Sequence, residues 1–102
     1  MSAPLTEKEF SKHVNTKFRI PGEQPIELEL AEVKGYLSKA HEQTGMERFS
    51  AFFSGPRQPY LPQRVYPLEH EQMGAFELFL VPVASDENGF RYEAVFNYFK
   101  DK

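Results

Sequence analysis

The sequence predicts a mostly β protein, an antiparallel six-stranded small barrel or barrel-like sandwich with one short N-terminal helix. Three observations lead to this fold class. About six segments have strand-like patterns, turn-forming residues separate them at short intervals, and helices do not alternate with strands as a parallel sheet requires. The length of 102 residues suits one domain. We therefore expect a single β-barrel-like domain over residues 1–102, with residues 1–5 as a flexible N-terminus.

A short helix is predicted near the N-terminus. Thr6 and Glu9 have the spacing of a capping box, in which each side chain bonds the backbone amide of the other residue. Phe10 and Val14 lie four positions apart, which places them on one face of a helix. The pattern predicts a short amphipathic helix over residues 6–14.

Residues 17–30 predict a hairpin with a five-residue loop at 21–25. Apolar and charged residues alternate on both arms, so one register places apolar partners inside and opposite charges outside. A slip by one residue would set charges opposite apolar side chains, so this register is well specified. It pairs Lys17 with Glu29, Phe18 with Leu28, Arg19 with Glu27 and Ile20 with Ile26.

The middle of the chain predicts two more strands. Residues 34–45 are polar and end in Thr-Gly, which indicates a loop with at most one helical turn. Residues 46–55 alternate as a strand, with Phe52 on the face opposite to the other aromatic residues. Residues 64–70 predict another strand. Pro67 within it favours an edge or bulged strand, because proline has no amide hydrogen for a ladder bond.

The last two strands, 76–85 and 90–99, predict a second hairpin around Asn88-Gly89. This dipeptide is typical of a type I′ turn, which needs positive φ at both central residues. The predicted register pairs Val81 with Phe96, Val83 with Ala94 and Asp86 with Arg91. One face would carry Phe79, Val81 and Val83, and the other Phe76, Leu78 and Leu80. Because both faces are apolar, one can fill the core and the other needs a cover, either the N-terminal helix or another chain.

Composition and charge exclude several function classes. The net charge is −3, from 12 basic and 15 acidic residues, and no basic stripe indicates binding to nucleic acid or to an anionic membrane. The absence of cysteine excludes disulfides, a thiolate nucleophile and cysteine-ligated metal. The N-terminus does not have the pattern of a signal peptide, and no apolar run is long enough to cross a membrane. We expect a soluble, cytoplasmic protein.

No motif predicts a cofactor, a bound metal or a catalytic residue. Neither a dinucleotide-binding pattern nor a phosphate loop is present, and Ser54 lacks the Gly-x-Ser-x-Gly context of a hydrolase nucleophile. His70 stands between Glu69 and Glu71, but in a strand both carboxylates point away from it. A structural histidine, which caps a strand end or bonds a loop, is therefore favoured over a metal ligand.

Residues 55–63 contain three prolines, which restrict the backbone and reduce the entropy lost when the loop becomes ordered. Two interpretations remain open: a structural strap packed on the barrel, or a preordered part of a recognition surface. Tyr60 and Leu61 stand between prolines at a stiff position, and Arg57 flanks them.

Most of the chain, including the start with Phe10, His13 and Phe18, resembles a family of small bacterial proteins catalogued only as a domain of unknown function. The family pattern is Phe-Ser-x-x-Phe-x-Gly-Pro, Leu-x-Gln-x-x-Tyr-x-x-x-His, Gly-x-x-x-Leu-Phe-Leu-Val-Pro and Gly-x-x-Tyr-x-Ala-x-Phe-Asn. The matching residues are Phe49, Ser50, Phe53, Gly55, Pro56, Tyr66, His70, Gly74, Leu78, Phe79, Leu80, Val81, Pro82, Gly89, Tyr92, Ala94, Phe96 and Asn97. The chain departs at Leu61–Arg64, where Gln63 still fits. The resemblance implies a small barrel-like fold and a bacterial source. It provides no activity that could be transferred to this chain. Relatives that lie near phage-tail-like genes favour a role in assembly.

Two functions remain open. The first is a non-enzymatic protein–protein interaction module that binds an unidentified protein or its own copy, with Tyr60 and Leu80 at the contact. The resemblance favours this function as part of a larger, phage-tail-like assembly. The second is a small-ligand-binding or catalytic barrel with a polar site around His70, since histidine titrates near neutral pH. Its pocket would be lined by Arg57, Gln63, Tyr66, His70 and Asn97.

Overall fold

Six antiparallel strands form one ringed sheet in the computed structural model, which describes residues 5–35 and 46–99. The elements in chain order are α1 (Glu7–Ser11), β1 (Lys17–Ile20), β2 (Ile26–Gly35), β3 (Met46–Gly55), β4 (Arg64–His70), β5 (Gly74–Asp86) and β6 (Gly89–Phe99). Around the ring the order is β1, β2, β3, β6, β5, β4, which returns to β1. The predicted class, a mostly β barrel-like fold with one short helix, is confirmed.

Two predictions concern the edges of the described chain. The predicted loop at 34–45 lies outside the described residues apart from Lys34 and Gly35, which end β2. Of the predicted flexible N-terminus, only Leu5 is described, and it packs against the core. Within the described ranges, no helix has the length and apolar character needed to cross a membrane.

The β1–β2 hairpin has the predicted register, with all four pairs confirmed. The inward side chains of both strands contribute to the core, and the charges lie outside. Lys17 Nζ lies 3.2 Å from a carboxylate oxygen of its partner Glu29. Arg19 instead bonds Glu69 of β4, because β4 is the neighbour of β1 on its other side. The charges therefore tie together three strands rather than two.

The β5–β6 hairpin differs from the predicted register. Asp86 pairs with Gly89 rather than with Arg91, and Val81 pairs with Glu93 rather than with Phe96. The register also shifts by one residue around Val83, where β5 has a bulge between the neighbouring pairs. The prediction that Val83 faces Ala94 is therefore wrong as well.

The turn at the tip of this hairpin explains the difference. Asp86 Oδ1 accepts hydrogen bonds from the amides of Asn88, at 2.8 Å, and Gly89, at 3.1 Å. Asn88 does not have positive φ, so the type I′ turn does not form; positive φ occurs at Gly89, at 151°. A Cβ at Gly89 would lie 2.0 Å from the carbonyl oxygen of Gly55 on β3. Glycine is needed at position 89 because the backbone of β3 comes so close to it. The turn type that Asn88-Gly89 predicts is not the reason.

Strand β4 is close to an edge strand. It pairs with β5 over seven residue pairs, from Arg64–Leu80 to His70–Gly74. On its other side its register with β1 consists of the single pair Arg19–Glu69. The predicted edge or bulged strand is therefore wrong, because β4 has a neighbour on both sides and an unbroken register with β5, but its sparse pairing with β1 is compatible with Pro67.

Helix α1 closes one end of the ring. Thr6 caps it as predicted, since its hydroxyl accepts a hydrogen bond from the Glu9 amide at 3.1 Å. The Glu9 carboxylate does not complete the capping box, because it contacts Lys12 and His13 instead. The helix ends at Ser11, which is shorter than the predicted range of 6–14.

Phe10 is the side chain with which α1 fills this end of the barrel. It is fully buried and lies against four other rings, with centroid distances from 5.3 to 6.2 Å. Those rings belong to Phe18, Phe49, Phe76 and Phe96, one from each of four strands. The helix therefore joins the strands at this end through a single aromatic cluster.

The proline loop, residues 56–63, closes the opposite end. Leu61 is buried, and its amide donates a hydrogen bond to the hydroxyl oxygen of Tyr92 at 3.0 Å. The hydroxyl of Tyr66 donates to the carbonyl oxygen of Pro62. Two tyrosines of the barrel thus hold the loop across its end, which supports the interpretation of the loop as a structural strap.

We expect Phe10→Ala to lower the free energy of unfolding by about 3–5 kcal/mol, because it removes a buried ring and leaves a cavity among four aromatic side chains. Chemical denaturation followed by circular dichroism measures this change. Lys8→Ala, at an exposed position of the same helix, is the control and should alter stability by less than about 0.5 kcal/mol. Equal effects of the two substitutions would contradict the role of Phe10.

Candidate functional site

Three exposed apolar side chains form a row across the outside of β4, β5 and β6. They are Val65, Phe79 and Val95, whose exposed fractions are 54%, 48% and 64%. Val65 and Phe79 are direct ladder partners. Phe79 and Val95 each lie two residues beyond Val81–Glu93, which is the last pair of the β5–β6 ladder at this end. We call these three residues the apolar row.

The apolar row faces outward because its neighbours in sequence face inward. Leu78 and Leu80 are buried in the core, and alternation along β5 turns Phe79 to the outside. Val83, further along β5, is also 45% exposed. The question of which face of the last hairpin is covered is thus resolved. The face with Phe76, Leu78 and Leu80 fills the ring, and α1 closes an end rather than covering the other face.

Polar residues surround the apolar row. Glu77 is exposed on β5 and pairs with Pro67, and Asn97 is exposed on β6, two residues beyond Val95. Glu93, on the other side of the row, accepts a hydrogen bond from the Ser50 hydroxyl. An apolar centre with a polar rim is the usual composition of a protein–protein interface.

The side chains expected to line a polar pocket do not converge on one place. Arg57 and Gln63 are exposed at the end closed by the proline loop. His70 lies at the far end of β4, seven residues and roughly 23 Å of strand from Gln63. Tyr66 faces the core between them and directs its hydroxyl to the loop. Asn97 is near the α1 end but points outward, beside the apolar row.

The two residues expected to contact a partner also differ in their positions. Tyr60 is 52% exposed, and its ring packs edge-on against Phe90 with a centroid distance of 5.0 Å. Leu80 is fully buried inside the ring. Tyr60 is therefore accessible to a partner and Leu80 is not. The exposed residue next to Leu80 in the sequence is Phe79.

His70 closes the turn between β4 and β5. Its Nδ1 accepts hydrogen bonds from the backbone amides of Gln72, at 3.0 Å, and Met73, at 3.1 Å. Because amides only donate, Nδ1 carries no hydrogen and the ring hydrogen lies on Nε2. Nε2 then donates to Thr16 Oγ1 at 2.9 Å, and the Thr16 hydroxyl donates to the carbonyl oxygen of His13 at 2.6 Å. His70 has the structural role that its sequence context favoured.

Glu9, His13, Thr16 and His70 together form what we call the histidine cluster. The two imidazole rings are in contact, with centroids 4.6 Å apart, and both are buried. His13 Nε2 lies 3.3 Å from a carboxylate oxygen of Glu9. Burial, followed by the neighbouring His13, lowers the pKa of His70 below its ordinary value of 6.5. Burial acts to raise the pKa of Glu9, but hydrogen bonds from His13 and Lys12 outweigh it and the pKa is lowered.

This cluster is not arranged as a metal centre. Both nitrogens of His70 are occupied by groups of the protein itself. Among residues 5–35 and 46–99, no three histidine, aspartate or glutamate side chains are placed to share an ion. A surface groove of about 540 Å³ lies beside the cluster, with Arg19, Glu69 and His70 in its lining. A larger groove of about 720 Å³ separates the β1–β2 hairpin from the proline loop.

The expected site residues did not include the apolar row or the partners of His70. The row could have been found by assigning Tyr66, Leu68 and His70 of β4 to the inside, which turns Val65 outward. The bond between Thr16 and His70 joins residues 54 positions apart and has no local sequence signal. The sequence indicates a loop-bonding histidine but does not identify its partners.

We expect His70→Phe to destabilise the protein by about 1–3 kcal/mol at pH 7.5, because the buried amide of Met73 then has no acceptor. His70→Asn is the matched variant, since its side-chain oxygen can occupy the place of Nδ1, and it should cost clearly less. Denaturation midpoints of the three proteins provide the comparison. If the two substitutions cost the same, the turn does not depend on this acceptor.

Comparison with known proteins places the chain in a family without adding an activity. A family model described as "Domain of unknown function (DUF6916)" matches residues 5–96. No curated protein and no solved structure matches the chain. The match covers α1 and nearly all of the ringed sheet, and so includes both the apolar row and the histidine cluster. The chain therefore belongs to DUF6916, a family known only as a domain of unknown function, in agreement with the resemblance in its sequence.

Proposed function

We propose that this protein is a non-enzymatic protein–protein interaction module that binds its partner through the apolar row. The partner is another protein or a second copy of the chain. The observation that supports this proposal is the exposure of the ladder partners Val65 and Phe79, together with Val95 on the adjacent strand β6. Single exposed apolar residues are common, but exposed apolar residues on three adjacent strands, two of them direct partners, with polar residues around them are typical of a surface that another protein covers.

The proposal extends to the setting of the protein. We propose a bacterial, cytoplasmic protein that takes part in a larger, phage-tail-like assembly. The family resemblance supports the bacterial source and the assembly. The absence of cysteine supports a reducing compartment such as the cytoplasm.

The alternative function, a ligand-binding or catalytic site around His70, has less support. Acid–base catalysis requires a ring nitrogen that can exchange a proton with a substrate. His70 uses Nδ1 for two backbone amides and Nε2 for Thr16, so a reaction at either nitrogen would break the β4–β5 turn or its link to Thr16. The four other residues of the expected pocket are distributed over both ends of the barrel and its outer face.

We expect Phe79→Asp to weaken association by roughly tenfold or more, since it places an unpaired charge at the centre of a desolvated surface. Val95→Asp on the neighbouring strand should have the same effect. Self-association is measured by analytical ultracentrifugation, and partner binding by capture from the lysate of the source organism with titration of the captured protein. Circular dichroism and thermal unfolding verify that each variant is folded.

Tyr60→Asp is the control, because it adds the same charge at a similarly exposed aromatic residue of the proline loop. It should leave association unchanged. If Tyr60→Asp abolishes association while Phe79→Asp and Val95→Asp do not, the binding surface is the proline loop rather than the apolar row. A wild-type protein that neither self-associates nor captures a partner contradicts the proposal as a whole.

A further inference from the structure

The N-terminal segment that closes the barrel is joined to the β4–β5 turn through histidine. The chain of hydrogen bonds runs from the amides of Gln72 and Met73 through the His70 ring to Thr16, and from Thr16 to the carbonyl group of His13. It connects the turn after β4 with the segment between α1 and β1. The two bonds from the amides of Gln72 and Met73 require a neutral His70, because Nδ1 must act as their acceptor.

A second proton on His70 is incompatible with this arrangement. Protonated imidazole has two N–H donors and no acceptor, so Nδ1–H would face the N–H groups of Gln72 and Met73. Rotating the ring does not help, because each nitrogen is then a donor. The ring must leave the turn, and its bond to Thr16 is lost with it.

His13 increases the effect, since its ring is in contact with that of His70 at 4.6 Å. A positive charge on His70 would therefore lie against a second imidazole at a buried site. From α1, the carboxylate of Glu9 faces His13 but is shared with Lys12. This carboxylate does not contact His70 in the structure and so does not compensate for a charge on that ring.

The remaining charged groups around His70 come from β1, β4 and the turn. Glu69 is engaged by Arg19, and Lys17 is engaged by Glu29 on β2. Glu71 favours a positive His70, but its effect is smaller than those of burial and His13, and the pKa of His70 is lowered overall. The folded state therefore disfavours the charged ring despite the carboxylates nearby.

We propose that acidification releases α1 from the end of the barrel, so that the histidine cluster acts as a pH-sensitive lock on the N-terminal segment. The sign follows from linkage: a group whose folded-state pKa is lowered stabilises the fold fully above its unfolded value of about 6.5. That stabilisation is lost as the pH falls through the folded-state pKa. Release of α1 withdraws Phe10 and opens an apolar mouth lined by Phe18, Phe49, Phe76 and Phe96. This inference is independent of the function proposed for the apolar row.

Hydrogen exchange followed by mass spectrometry at pH 7.5 and pH 5.0 tests the proposal on the full chain, after correction for intrinsic exchange rates. In the wild type, the opening of residues 5–16 relative to β3 should increase on the order of tenfold or more at pH 5.0, because a protonated Nδ1 of His70 would face the amide hydrogens of Gln72 and Met73. Binding of a fluorescent apolar dye should increase over the same range. Unchanged relative exchange of residues 5–16 down to pH 5.0 overturns the proposal.

Two substitutions identify the groups responsible. His13→Gln keeps a donor towards Glu9 and His70→Asn keeps an acceptor for the turn, but neither side chain titrates. Each should reduce the acid-induced opening severalfold, and the double variant should abolish it. If His70→Asn does not fold, His13→Gln alone decides, because it leaves the turn intact. The proposal is overturned if the double variant opens as much as the wild type. If His70→Asn does not fold, the same outcome for His13→Gln overturns it.

His41→Gln is the matched control, since it removes the third histidine of the chain, which lies outside the described residues. It should open with acid as the wild type does. Loss of the acid response in His41→Gln alone would assign the response to a different histidine and would also overturn the proposal.

Discussion

A ring of strands with an apolar interior has two open ends, and the structure of this protein depends on closing both. The interior is lined by large side chains from all six strands, and water at either end would contact them. Phe10 of α1 fills one end, and Leu61 of the proline loop fills the other. Neither segment belongs to the sheet, yet each contributes a buried side chain to the same core. A domain of this size can leave little apolar surface uncovered and still be stable.

The closure of the ends determines what remains for interaction. Because α1 and the proline loop are used at the ends, neither covers the outside of β4, β5 and β6. The last hairpin is apolar on both faces, so turning Leu78 and Leu80 inward leaves Phe79 outside. The exposed apolar row is thus a consequence of the strand pattern together with the position of the caps. A covering segment from another chain would serve the same physical purpose that α1 serves at the end.

The fold class and the first hairpin could be predicted from the sequence, because their determinants are local. Apolar alternation and charge pairing agree on one register for β1 and β2, and the structure has that register. The register of β5 and β6 could not be predicted in this way. It depends on the approach of Gly89 to the carbonyl group of Gly55 and on a bulge at Val83, and Asn88-Gly89 alone indicates a different turn.

The same distinction applies to the candidate sites. The strand pattern identifies two apolar faces on the last hairpin, but only ring closure decides that Leu80 is inside and Phe79 outside. The sequence context of His70 indicates a loop-bonding role, and the structure confirms it through the amides of Gln72 and Met73. Its bond to Thr16 depends on how the ring brings the start of β1 to the end of β4. Such contacts between distant segments are not encoded in any local pattern.

The polar groups that enter the interior are engaged in joining segments of the fold. Tyr92 and Tyr66 hold the proline loop through its backbone, and His70 holds the β4–β5 turn and Thr16. Among the described residues, no buried side-chain nitrogen or oxygen lacks a hydrogen-bond partner. The polar groups described inside this barrel therefore hold the proline loop, the β4–β5 turn and the N-terminal segment in place around the closed ring.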